Sequence, residues 1–142
     1  MYIGLKHTHS GLAYILLAGL MIAVALVIVS ATAKKPFTDR VRKFALIGLI
    51  LTHLQLVIGL ILYFVSPAGL SSLSGEAMKD AALRFNTVEH PLTMIIAIIL
   101  VTIGYSRSKR GQSDSSKYRS VIIFYLLGLF LMLLRIPWSI WP

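Results

Sequence analysis

The strongest chemical signal in the chain is a pair of histidines, His9 in "KHTHSGLAYILLAG" and His90 in "TVEHPLTMIIAIIL", each standing at the head of an apolar run. A neutral imidazole offers one nitrogen lone pair, the donor that haem iron takes at an axial position, and two rings from separate helices at one depth would fill both positions. The chain has no cysteine, so it can hold neither a disulfide, nor a thiolate-bound iron–sulfur cluster, nor a covalently attached c-type haem. Any redox group must therefore be held non-covalently.

Two further histidines compete for the role. His7 lies two residues before His9, so on a helix the two rings point about 200° apart and only one can face a bundle interior. Small residues follow both, Gly11 and Ala18 on the side of His7 and Ala13 on the side of His9, and periodicity leaves the choice open. His53 stands about eleven residues, or roughly 16 Å, into its own apolar run, where a titratable group is expected to face protein and serve a function. It projects about 120° away from a stripe of Gly48, Thr52, Gln55 and Gly59. Either that stripe faces a cofactor or His53 does; otherwise His53 is free for a subunit contact, a second cofactor or a quinone.

Such rings reach one level only if the elements carrying them cross a membrane, and the composition demands that they do. Of 142 residues, 57% are hydrophobic, the mean hydropathy is +0.82, and the charges avoid the apolar stretches. Four runs read as spanning helices, at residues 10–33, 45–65, 91–105 and 120 to about 141, against a requirement of roughly 20 residues for a bilayer core. The third is short and must borrow His90 and Ser106, which extends it to about 90–106. The fourth is interrupted by Arg135 and Pro137, so its last turn is expected in the headgroup layer with Trp138 and Trp141 as anchors. The first exceeds the apolar core of a signal peptide and Lys6 is the only charge before it, so it is expected to stay uncleaved. The expected fold is an all-α membrane protein, a single four-transmembrane-helix bundle, in a bacterial inner (cytoplasmic) membrane.

Charge sets the orientation. The segment "KKPFTDRVRKF" carries five basic residues against Asp39, a net of +4, and "SRSKRGQSDSSKYR" carries five against Asp114, again +4. The loop at 66–89 has Lys79 and Arg84 against Glu76, Asp80 and Glu89, a net of −1. Lys and Arg of short loops stay in the cytoplasm, so both termini and the 66–89 loop are expected outside. The net charge of +9 thus indicates membrane lipid as the partner and not nucleic acid. Within the outer loop, Ala77, Met78, Ala81, Ala82 and Phe85 fall near helical spacing, which predicts a short amphipathic helix on the membrane surface, placed to act as a lid. With this topology the first and third helices both start outside, and His9 and His90 share a depth. Below His90, Ala97 and Gly104 recur every seven residues; they either leave space beside a ligand or allow close helix packing.

Three segments, in order, resemble the second half of haem A synthase. "HSGLAYILLA", from His9, is similar to that family's His-Arg-x-x-Ala-Tyr helix; "LQLVIGLILYFVSP", from Leu54 to Pro67, to its Gln-x-x-x-Gly helix ending near a proline; and "HPLTMIIAIIL", from His90, to the helix that opens with its other haem-ligating histidine. The resemblance covers three of the four helices, about half the chain. It implies that His9 and His90 are axial ligands of a b-type haem, with His7 and His53 as alternates, and that Gln55 and Gly59 line the pocket. Ser10 stands where the family has arginine, and the family's catalytic carboxylate before a histidine has no counterpart, Lys6 standing three residues before His9. The missing arginine leaves Arg135, which the topology brings to the level of His9 and His90, as the candidate to hold haem propionates in bidentate fashion; the alternative is an arginine snorkelling beside Trp138. The functional expectation is a small bis-histidine cytochrome b for electron transfer, acting as a homo-oligomer or as a subunit of a respiratory membrane complex. A haem-free subunit or assembly factor, and a haem A synthase-like enzyme acting as an oligomer, are the alternatives.

Overall fold

The computed structural model describes residues 1–139 and Trp141. Among these residues every regular element is helical: α1 (Tyr2–Thr32), α2 (Asp39–Val65), a 3₁₀ turn (Leu70–Ser72), α3 (Ala81–Arg84), a π-helical turn (Phe85–Glu89), α4 (His90–Arg110) and α5 (Asp114–Leu134). Four helical stretches, with α3 and the π turn counted as part of the third, are long and apolar enough to cross a membrane. Helices suit that role because every interior backbone group is bonded within its own segment and none meets hydrocarbon unpaired.

The helices run past the apolar runs at most of their ends because polar residues cap them in the headgroup zone. Thr38 accepts from the Val41 amide and Ser113 from the Ser116 amide, with Asp39 and Asp114 in the following first turns; such carboxylates complement the positive helix start. Arg107, Lys109 and Arg110 do the converse in the last turn of α4. At the opposite end α1 begins at Tyr2, so His7 and His9 both lie within it. Helix α5 stops at Leu134, short of the expected end near Trp141. Pro137 explains the stop, since it lacks an amide proton and disfavours helical backbone in the residue before it.

The 66–89 segment departs from expectation. Its short helix, α3, continues through the π turn into α4 and so prolongs the third spanning helix at its head, where a separate surface helix was expected. Asp80 starts it by accepting from the Leu83 amide at 2.8 Å.

Packing is strongest between α1 and α2 and between α4 and α5, with α1–α5 and α2–α4 closing the ring. Helices α1 and α4 are therefore diagonal neighbours across the bundle centre. The core holds Leu20, Val27, Val101, Val121 and Tyr125, all fully buried, and the Tyr125 hydroxyl donates to the Ala45 carbonyl at 2.6 Å, tying α5 to α2. Close approach of α4 and α5 uses the small residues: a Cβ on Gly128 would lie 2.9 Å from the Ala97 carbonyl oxygen, and one on Gly104 would lie 2.7 Å from Cβ of Phe124. Ala97 and Gly104 thus serve helix packing and do not make space beside His90. The outward faces carry Ile, Leu, Val and Phe, as a lipid-facing surface requires.

Candidate functional site

Where α1 and α4 start and α2 and α5 end, the four helices enclose a cavity of about 320 Å³. His9 and His90 line it from the two diagonal helices, with Gln55 and Gly59 between them on α2. The two imidazole centres are 6.3 Å apart and the ring planes stand at 79°. Of the two histidines that periodicity could not separate, His9 faces the cavity and His7 is exposed. His53 is exposed too, on the outward face of α2; its Nδ1–H donates to the Leu49 carbonyl at 2.8 Å, one turn back. The stripe of Gly48, Thr52 and Gln55 is the buried side of that helix, so the stripe, and not His53, faces the bundle interior.

Each wall residue has a local reason for its place. Gly59 lies against the His9 ring, where an added Cβ would be 3.1 Å from Cε1, so the absence of a side chain is what admits the imidazole. Gln55 is buried and donates from Nε2 to the His9 main-chain carbonyl at 2.9 Å, with the same nitrogen 3.2 and 3.3 Å from the two ring nitrogens. Its Oε1 is buried without a hydrogen-bond partner among the described residues. A buried amide oxygen without a donor is destabilising by about 1–3 kcal/mol, so this wall presents an open acceptor.

His90 is held differently. Its Nδ1 lies 2.7 Å from the Arg135 carbonyl, and because a carbonyl can only accept, Nδ1 carries the proton. The lone pair is then on Nε2. The π turn preceding His90 is itself anchored, since Tyr63 at the end of α2 donates its hydroxyl to the Thr87 carbonyl at 3.0 Å, and Phe85 stacks at 6.1 Å from the His90 ring centre.

Arg135 arrives at the histidine level, as expected, but its main chain is what meets His90. The guanidinium lies 3.8 Å from Glu89, and Glu89 also accepts from Arg84 Nε at 2.8 Å. Sequence reasoning missed two residues here. Glu89 read only as one acid in a loop of mixed charge. Trp141 read as an interfacial anchor, yet it lines the cavity, stacks on Tyr14 at 4.4 Å and buries an indole N–H without a partner among the described residues. Pro137 was the available signal, because a chain that cannot continue the helix is free to turn back over its end. Trp138, by contrast, is exposed.

Among the described residues, three or more histidines, aspartates or glutamates nowhere gather closely enough to hold a metal ion; the nitrogen donors lining the cavity from histidine are His9 and His90, with the thioethers of Met94 and Met132 also in its wall. The amino-acid sequence matches no family model, no curated protein and no solved structure.

Proposed function

We propose that this chain is a small membrane cytochrome b, holding one non-covalent b-type haem between His9 and His90 and carrying electrons. The observation that carries the reading is the pair of diagonal imidazoles 6.3 Å apart across one cavity. Two metal–nitrogen bonds of about 2 Å span about 4 Å, and the near half of each ring brings the centre-to-centre distance to about 6 Å. Two further features support it. The His90 Nδ1–H bond to a carbonyl is the outer contact that metal-ligating imidazoles commonly make, and it leaves Nε2 for the metal. A lone pair of imidazoles also leaves a bare ion short of the four to six donors it usually takes, whereas haem iron brings four of its own.

When bound, haem would supply one-electron transfer. The protein's part would be to hold the two imidazoles across the cavity, to keep water out with the apolar walls of Met94 and Ile98, and to keep Gln55 Oε1 and Trp141 Nε1 in its wall, both buried and unpaired among the described residues. With both His9 and His90 holding the iron, no position would stay open for a substrate, which favours an electron carrier over a haem-modifying oxidoreductase. The setting this reading requires is an energy-transducing membrane such as the bacterial inner membrane. His53, exposed at mid-span with Nε2 unengaged among the described residues, favours a neighbour there, either a second copy, a subunit of a respiratory complex or a quinone.

The test is a pyridine haemochrome and reduced-minus-oxidised spectrum of the protein purified from haem-replete cells. The expected result is a stoichiometric b-type haem that is six-coordinate and low-spin, lost in His9→Ala and in His90→Ala and retained in His7→Ala. A folded protein that takes up no haem sinks the proposal and leaves a haem-free membrane subunit; conversion of bound haem to haem A would make it an enzyme.

A further inference from the structure

Glu89 and His90 are consecutive, and they grip the same residue at two points. The Glu89 carboxylate lies 3.8 Å from the Arg135 guanidinium, while the His90 imidazole donates to the Arg135 main-chain carbonyl at 2.7 Å. The carboxylate is itself fixed from the other side by Arg84 Nε at 2.8 Å, and Arg84 reaches back through Nη1 to the Met78 carbonyl at 2.9 Å. This chain of contacts joins the 66–89 segment, the head of α4 and the end of α5.

The carbonyl it controls is not held by a continuing helix. Arg135 follows the last residue of α5, with φ −119° and ψ 21°, and Pro137 comes two residues later. A carbonyl at a frayed helix end can rotate away, and the partly buried Glu89–Arg135 pair opposes that rotation. We infer that Glu89, through Arg135, is a positioning residue that sets the tautomer and orientation of His90, so that the last acidic residue of the 66–89 segment tunes the ligand without touching the cavity.

The inference rests on the haem reading for its functional consequence but not for its structural core. An imidazole that donates strongly from Nδ1 is a more basic ligand and favours ferric iron. Loosening the carbonyl should therefore raise the midpoint potential.

The charges of the clamp permit a discriminating test. Glu89→Gln removes a negative charge and Arg135→Gln removes a positive one, so a direct electrostatic effect on haem would move the potential in opposite directions, up and down. A clamp acting through the His90 hydrogen bond moves both up. Arg135→Lys keeps a cation in reach of Glu89 and should stay near the parent. The haem-free readout is nitrogen NMR of histidine-labelled protein in lipid nanodiscs, the His90 ring assigned by its loss in His90→Gln. Parent protein and Arg135→Lys should show His90 protonated on Nδ1, and in both glutamine variants the opposite tautomer should grow in. An unchanged tautomer in both, or potentials that shift in opposite directions, overturns the inference. Failure of the parent protein to bind haem would overturn the reading of function, while the tautomer measurement still decides the clamp.

Discussion

At the scale of single residues, the site depends on what is absent as much as on what is present. Gly59 admits His9 because hydrogen is the only substituent that fits there without a shift of the ring. Alanine would place a Cβ 3.1 Å from the ring, which a shift of a few tenths of an ångström relieves. Valine would not be relieved so easily, and overpacking of this kind is destabilising by about 1–3 kcal/mol. The expected outcome is a graded loss in titrations of haem into the protein, small for Gly59→Ala and about tenfold or more for Gly59→Val, with helicity unchanged by circular dichroism. An equal affinity in all three proteins would mean that His9 does not bind in the position it occupies here. Gln55 adds a hold of another sort: its amide nitrogen fixes the main chain of His9 while its oxygen stays buried without a partner among the described residues, an arrangement that no aliphatic residue of similar size could supply.

At the scale of elements, the α4–α5 seam is the tightest joint in the bundle, and its small residues decide how near the two helices come. Without a hydrophobic driving force between helices in lipid, such seams hold by van der Waals packing over a short interaxial distance. A Cβ on Gly128 would sit 2.8 Å from Val101 Cγ2 and 2.9 Å from the Ala97 carbonyl oxygen. The second of these is backbone, so the helices themselves must part. Gly128→Val is therefore expected to lower stability by about 1–3 kcal/mol, seen as an earlier midpoint when the protein is unfolded from mild detergent by increasing dodecyl sulfate. Leu126→Ala, on the exposed face of the same helix, should shift the midpoint by no more than about 0.5 kcal/mol. Because α5 also carries Arg135 toward His90, parting the seam should disturb the site from a distance, and haem loss in Gly128→Val should accompany the drop in stability.

At the scale of the whole molecule, two ends with opposite chemistry define the protein. One end gathers His9, His90, Glu89 and the cavity; the other gathers the two loops of net charge +4. A short loop that basic stays in the cytoplasm, so the cavity end is expected to face outward. A reporter active only in the cytoplasm should give signal when fused after Arg110 and none when fused after Pro142. The reverse pattern would put the candidate site on the cytoplasmic side, while leaving the internal geometry untouched.

Hydropathy by itself determined that four helices cross a membrane, because burying an unpaired backbone in lipid is so unfavourable that a long apolar run has one option. The alternation of the runs likewise put His9, His90 and Arg135 at one end, and the resemblance of three segments singled out Gln55 and Gly59. What the linear pattern lacked was rotation about each helix axis. An imidazole at residue 7 and one at residue 9 look alike until packing against α2 turns one inward and leaves the other exposed. The same holds for His53, set within a long apolar run in which only the buried stripe tells which way α2 faces. Chain reversals were equally out of reach: Trp141 returns to the cavity wall, and Arg135 offers its carbonyl to His90 and its guanidinium to Glu89. These are contacts between residues 45 or more positions apart, and they exist only because the tertiary fold brings the end of one helix against the beginning of another.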